Sequence, residues 1–371
     1  MNYILVYRSN YLALSETFVS DHLRSMKTWQ PLIVYEKEVA SAHKVDVRPH
    51  KIWKGRFGRW LFESLGISPV LSALVRDKKP ALVHAHFLTD AARIVPFIER
   101  TGLPFIVTAH GYDATTYDVE LRKFSEGRLL LKRAERVANA ASLIICVSDF
   151  IREALIERGY PENKLVTIPL GIDVELFKAR PITTMGRGIV SIGRLVEKKG
   201  TRFLIEAYAR LPDSIKEIHP LTLVGDGPLR VELESLATGL GVAVRFTEGL
   251  SREQALREVI GARVFCLPSI RAASGDAEGM PIAIMEALAL GVPTVVFSGQ
   301  HMADKLRDAK ACEVVEANNV DALSASLARL LQDDDAVSFY SKVGRQYCEE
   351  NFSLSGNMDM LFAAYKSVQK N

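Results

Sequence analysis

Three stretches of the chain carry side chains that could do chemistry together. In Gly193, Arg194, Leu195, Val196, Glu197, Lys198, Lys199, Gly200, two of the three cations, Arg194 and Lys199, are the candidates where a strand would hand over to a helix. Arg194 would offer a flat fork of donors, Lys199 a mobile ammonium and the helix start free backbone N–H groups, a combination suited to phosphate. Taken alone, the loop reads equally well as a surface turn with solvated cations. Gly225, Asp226, Gly227, Pro228 would either let backbone approach a ligand or make a tight turn, with Pro228 at a first helical position. It lacks the third glycine of a dinucleotide fingerprint, which disfavours a nicotinamide enzyme.

The third stretch runs from Ser274 to Pro293 and holds Glu278 and Glu286. Pro281 marks a first helical turn and Gly291 a C-terminal stop, so Glu278 precedes the helix and Glu286 lies about a turn and a half inside it. Among Ile282, Met285, Ala289 and Leu290, the Glu286 carboxylate needs a partner. A pair of ribose hydroxyls would supply two donors, and a salt bridge to a neighbouring helix is the alternative. Glu278 and the N–H groups of Gly279, Met280 and Ile282 would face a sugar and its phosphate. Otherwise Glu278 is a first-turn acid favoured by the helix dipole. His84 and His86 share a strand face but have no third ligand at a recognisable spacing, so a pocket-lining or hydrogen-bonded structural role is expected over a metal site.

These residues need elements to hold them. Short β-branched runs alternate with helical patterns along the whole chain, the signature of parallel sheets covered by helices on both faces. The candidate strands are 3–7, 32–35, 81–86, 105–109, 142–147 and 165–169, then 189–192, 221–224, 242–246, 264–267, 294–297 and 312–315. Segment 178–188 lacks apolar periodicity and reads as a linker. The expected architecture is α/β with two doubly wound, Rossmann-like domains, 1–181 and 182–351, a ligand cleft between them, and a C-terminal helix in 352–371 returning to the first domain. With 371 residues the chain has room for two cores. Residues 1–180 carry a balance of +6 and residues 181–371 one of −3. That suits an anionic surface or a phosphorylated ligand and is too mild for duplex nucleic acid. Cys146, Cys266, Cys312 and Cys348 are too scattered for a disulfide framework or a metal motif and are expected as reduced core residues. No apolar run reaches membrane-span length and no basic leader opens the chain, so a cytoplasmic location is expected.

The loop 193–200, the turn 225–228, Glu278 with seven residues between it and Glu286, and the closing Ala287 to Pro293 resemble the donor domain of retaining glycosyltransferases of family 4, which have the GT-B fold. The resemblance continues through Ile168 to Phe177. Leu14, Ser15, Glu16, Thr17, Phe18 and Gly275 to Gly279 are similar to segments of exopolysaccharide or colanic-acid-type enzymes. It implies a nucleotide-sugar donor, UDP- or GDP-linked, and a glycan or lipid-linked saccharide acceptor. Arg194 and Lys199 would hold the diphosphate, Glu286 the ribose, and Glu278 the transferred sugar. Gly193, Gly225 and Leu250 would line the donor site, Leu250 in the base-binding loop, and His110 would face the sugar from the first domain. Ser15, Glu16 and His86 are the acceptor-side candidates, although Ser9 to Ser15 replace the glycine-rich first loop of many relatives.

A departing diphosphate gains negative charge as its bond to the sugar breaks, and fixed cations stabilise that state without a metal. No Asp-x-Asp metal pair of the kind other glycosyltransferases use is recognised, so no metal or other cofactor is expected. A glycosidase-like carboxylate pair is disfavoured because Glu286 lies too far along its helix, leaving front-side attack as the expected route. The competing readings are a sugar-nucleotide-binding subunit without transfer, and a GT-B epimerase or phosphorylase. In segment 51–62, a helical wheel groups Trp53, Phe57, Trp60 and Leu61 against Lys51, Lys54, Arg56 and Arg59. Such a stretch is expected either on an anionic membrane surface or as an acceptor-site wall.

Overall fold

The apolar runs become the strands of two parallel sheets. The computed structural model describes residues 2–12, 16–39, 45–177, 186–299 and 301–369. Among these, the first sheet is built from β1 (Asn2–Asn10), β2 (Trp29–Lys37), β3 (His50–Lys51), β4 (Leu82–His86), β5 (Phe105–Ala109), β6 (Leu143–Cys146) and β7 (Leu165–Thr167). The second uses β8 (Ile189–Ile192), β9 (Leu221–Val224), β10 (Val244–Thr247), β11 (Val264–Leu267), β12 (Thr294–Phe297) and β13 (Glu313–Val315). Their orders are β3-β2-β1-β4-β5-β6-β7 and β10-β9-β8-β11-β12-β13. Each series starts in mid-sheet and winds outward in both directions, so both sheets are doubly wound as expected. Five strands, β5, β8, β9, β11 and β12, lie on the residues the apolar runs marked, and the other expected strands differ only at their ends. The sequence contains no signal for β3, because two polar edge residues make no apolar run.

Burial explains why these runs are strands. Ile4, Leu5 and Val6 of β1 and Phe265 and Cys266 of β11 are fully buried, as strands covered on both faces must be. All four cysteines are buried and free. No helix among the described residues is long and apolar enough to cross a membrane.

The chain divides into one unit of Met1–Gly171 with Leu354–Asn371 and a second of Ile172–Ser353. The division falls at Gly171 rather than at 181, because Ile172 bridges to Ser353 and donates its N–H to the Phe352 carbonyl (2.9 Å). Residues 178–185 of the expected linker lie outside the described residues. The helix Leu354–Ser367 belongs to the first unit, where the buried Tyr365 hydroxyl lies 2.8 Å from His84 Nδ1 and its ring packs edge-on to Trp29.

Segment 51–62 folds differently from its helical wheel. The helix spans Gly55–Leu65, so Trp53 precedes it, and Phe62 is the residue fully buried. Phe57 and Trp60 point outward, 70% and 54% exposed, with rings stacked 6.0 Å apart. Glu63 accounts for the orientation: Arg93, itself paired with buried Glu36, reaches Glu63 and pulls that side of the helix onto the unit.

Candidate functional site

In the second unit β8 and β11 are parallel neighbours, so the loops leaving their carboxyl ends meet. After β8 the chain makes a 3-10 turn, Glu197–Lys199, and then enters the helix Thr201–Ala209 through Gly200 at φ 64°. Lys199 Nζ lies 2.9 Å from Glu278 Oε1 and Lys198 Nζ 3.0 Å from Asp276 Oδ1. Glu197 accepts the Ala273 N–H, and Ile270 donates its N–H to the Lys198 carbonyl. Arg194, in the same loop, is exposed. Burial opposes the charge on Glu278, but the ammonium groups of Lys199 and Lys198 outweigh it and hold the carboxyl below the usual glutamate range. For Asp276 burial wins over Lys198 and the pKa is raised.

The glycines are explained by this packing. A Cβ on Gly225, at φ 135°, would strike the Gly193 carbonyl, and one on Gly227 would strike that of Leu195. The two loops are hydrogen bonded, Gly193 N–H to Val224 O (3.0 Å) and Leu195 N–H to Asp226 O (2.9 Å). The close approach expected of Gly225 is therefore made to its neighbouring loop. Pro228 is in the turn before the helix Arg230–Gly239, not at its first position.

Pro281 is the N-cap of the helix Ile282–Ala289, and no side chain caps that end. Gly279 is buried, and Met280 and Ile282 half-buried, in the segment leading into the helix. Met285 and Leu288 are essentially fully buried, each contributing about 1.5–3 kcal/mol to seating it. Glu286 has the salt bridge that the sequence left as the alternative. Nε and an Nη of Arg252 both lie 2.9 Å from its Oε1, and the guanidinium sits 5.7 Å over the Phe177 ring. Half-buried Leu250 directly precedes the Arg252–Gly261 helix, whose Ser251–Gln254 capping box fixes where Arg252 begins.

In the first unit the candidates gather at the carboxyl ends of β4 and β5. His110 is buried between Phe18 and Phe87, each ring 4.5 Å away, and its Nε2 lies 3.2 Å from His86 Nδ1. Its Nδ1 has no hydrogen-bond partner. The fully buried Asp113 carboxylate orders this corner by accepting the N–H groups of Leu88 (2.7 Å), His110 (3.2 Å) and Gly111 (3.0 Å). Phe87 takes φ 70°, a strained position for a bulky residue. Burial first, then the charge of Arg8, holds His110 well below the usual histidine value, so its ring is neutral at neutral pH. His84 bonds Tyr365 and Thr108 and is structural. His86 is 2% exposed and lies behind His110. Glu16 pairs with Arg8, which also binds Asp90 (2.6 Å) and lies over the Phe87 ring. Ser15 and Leu14 lie outside the described residues.

Sequence reasoning missed Arg8, Arg252, Lys198 and Asp276. Arg8 had a signal, a charge in the final turnings of an apolar strand. Arg252 had none, since its partner is 34 residues away. No group of three His, Cys, Asp or Glu side chains among the described residues could hold a metal ion. The one Asp-x-Asp spacing that the chain contains, Asp333 to Asp335, lies at the start of the helix Asp334–Asn351, where Asp333 is the N-cap.

Two family profiles match, "Glycosyltransferase Family 4" over residues 28–176 and "Glycosyl transferases group 1" over residues 174–347. A GDP-mannose-dependent alpha-(1-6)-phosphatidylinositol monomannoside mannosyltransferase of Mycolicibacterium smegmatis is 30% identical over 275 residues, 70% of each chain. The putative colanic acid biosynthesis glycosyltransferase WcaL of Escherichia coli is 29% identical over 249 residues, 66% of this chain and 59% of WcaL. The structure of Anabaena Alr3699/HepE in complex with UDP and glucose superposes with a TM-score of 0.79 at 17% identity, covering 99% of this chain and 100% of that one. The two doubly wound units and these matches lead to one conclusion: the chain belongs to the family 4 glycosyltransferases and has the GT-B fold.

Proposed function

We propose that the protein moves a sugar from a nucleotide-sugar to a hydroxyl of a glycan or lipid-linked saccharide, with retention, during assembly of a surface or exopolysaccharide. The observation that carries this reading is the Lys199–Glu278 pair joining the loops that follow adjacent parallel strands, one of which also carries exposed Arg194. A diphosphate entering there takes Lys199 and Arg194, with the uncapped N-terminus of the Ile282–Ala289 helix adding N–H donors. Glu278 then turns to the sugar, and Glu286, held from one side by Arg252, turns to the ribose. The base is that of UDP or GDP, since one relative is named GDP-mannose-dependent and one structural neighbour holds UDP.

In the transfer, the bond from the anomeric carbon to phosphate breaks and the acceptor oxygen bonds that carbon on the same face. The acceptor proton passes to the leaving phosphate oxygen. Arg194 and Lys199 stabilise the charge on that oxygen, so the step proceeds without a metal. Neutral His110 acts as a hydrogen-bonding contact for a sugar hydroxyl rather than a charged group, Glu16 belongs to the acceptor side, and buried His86 supports the His110 ring instead of meeting the acceptor. The protein works in the cytoplasm, at the inner face of the membrane where a lipid-linked acceptor is presented. Exposed Phe57 and Trp60, with Lys51, Lys54 and Arg56 also exposed around them, support that location.

Calorimetry with UDP and GDP, and turnover with GDP-mannose and UDP-glucose, test the reading. Arg194→Ala and Lys199→Ala should each lower turnover about 100-fold or more; the melting temperature should be little changed by loss of exposed Arg194 and lowered by loss of Lys199, which leaves Glu278 without its ion pair. Near wild-type rates in both variants would overturn the diphosphate assignment. Activity abolished by a chelator and restored by a divalent ion would overturn metal independence.

A further inference from the structure

Lys198 and Asp276 have no part in the reading above, yet they form the second rung of the ladder that holds Lys199 and Glu278. Neighbouring lysines of one loop meet acids two residues apart in the other, at 3.0 Å and 2.9 Å. The four charges cancel. All four side chains are largely shielded, from 9% exposed for Glu278 to 25% for Asp276. Donor binding, as proposed, breaks this balance, because Lys199 cannot neutralise the diphosphate and Glu278 equally. A shielded carboxylate that loses its countercharge takes up a proton or turns away.

We infer that Lys198 and Asp276 are a positioning pair, in which Asp276 holds Lys198 beside Glu278 so that Glu278 stays charged and in place while Lys199 serves the diphosphate. This rests on the proposed donor site. The charged groups that act on Glu278 from the two loops are Lys199 and Lys198, and Asp276 holds Lys198; Glu197, on the same turn, faces the Ala273 N–H instead. Lys198 acts on Glu278 in the same sense as Lys199, and Asp276 reaches Glu278 through the ammonium that it holds. Removing either member of the pair must therefore move Glu278 in the same direction, because each removal takes the Lys198 ammonium away from it. A tie that only pins the two loops together would leave the Glu278 midpoint unmoved.

The test is a pH titration of the Glu278 carboxyl by carbon-13 resonance in protein labelled at glutamate, assigned by its loss in Glu278→Gln. It is run free and with saturating UDP or GDP. Lys198→Met should raise the titration midpoint, by more with nucleotide bound than without, and Asp276→Asn should raise it in the same sense by releasing Lys198. Lys198→Arg should restore the wild-type midpoint. Midpoints equal to wild type in folded Lys198→Met and Asp276→Asn proteins would overturn the inference, as would shifts of opposite sign. The donor-site reading fails separately, if wild type binds neither nucleotide or if Glu278→Gln keeps full turnover with GDP-mannose or UDP-glucose.

Discussion

Glu278 and Glu286 are the same residue type, and what holds each one separates their tasks. Glu286 sits inside a helix against Arg252, whereas Glu278 sits before that helix against Lys199. Glu286→Ala should weaken UDP or GDP binding about tenfold or more, the loss of hydrogen bonds to a charged group. Glu278→Ala should leave sugar-free nucleotide binding near wild type and impair transfer. Calorimetry on the two variants decides it, and equal affinities for both and for wild type would end the division of labour. Glu278 also has a definite pH sense. Its folded pKa lies below the ordinary value of 4.5, so its ion pair contributes fully above that value and is lost as pH falls through the lowered one. Glu286 was legible as the one ionisable residue between Pro281 and Gly291, and Glu278 as an acid just before that helix. Arg252 was not, because nothing local ties residue 252 to residue 286.

At the level of elements, the donor loops are built as a unit. The loops after β8 and β9 touch backbone to backbone at Gly193, Gly225, Leu195 and Gly227. Gly225→Ala or Gly227→Ala should cost about 1–3 kcal/mol and lower nucleotide affinity, read by thermal melts with and without UDP. An unchanged melt would show that the loops can part freely. The turn was recognisable from its glycines, but whether the close neighbour was a ligand or another loop depended on strand order. The Gly55–Leu65 helix makes a second case. The apolar positions were visible, and only the Arg93–Glu63 tie and buried Phe62 decide which of them face outward. A Phe57→Ala, Trp60→Ala double variant should sediment less with anionic vesicles than wild type, and wild-type binding should fall with added salt. Wild type that fails to sediment at low salt leaves no membrane role for this helix.

For the whole molecule, the histidines concentrate in the first unit. Burial pushes His22 down to about 4 and His84 to about 3, against an ordinary value of 6.5, and His86 and His110 are also held well below it. The unfolded chain binds these protons first, so as pH falls below 6.5 each buried histidine costs up to about 1.4 kcal/mol per pH unit. Asp90, raised to about 6 by burial, works in the opposite sense over part of that range, so the comparison is made with a variant. The wild-type melting temperature should fall between pH 7 and pH 4 and fall less in His84→Gln. An equal fall in both would show that these rings do not set the acid stability. His84 also bonds Tyr365, so this titration reaches the C-terminal helix of the same unit.

Two periodicities were enough to read the architecture from the amino-acid order. Unbroken apolar runs marked parallel strands, because a strand covered on both faces has no polar side, and β8, β9 and β11 fall on those residues. The candidate loops were legible for the same reason, since in such sheets ligand-facing loops follow the carboxyl ends of strands. Pairing across the chain was not. That Lys199 meets Glu278, that Lys198 meets Asp276 and that Arg252 answers Glu286 follows from β8 lying beside β11 and from how the Arg252–Gly261 helix packs. A charged side chain acts over a few ångströms, and which charges come that close is a property of strand order and helix packing rather than of local sequence.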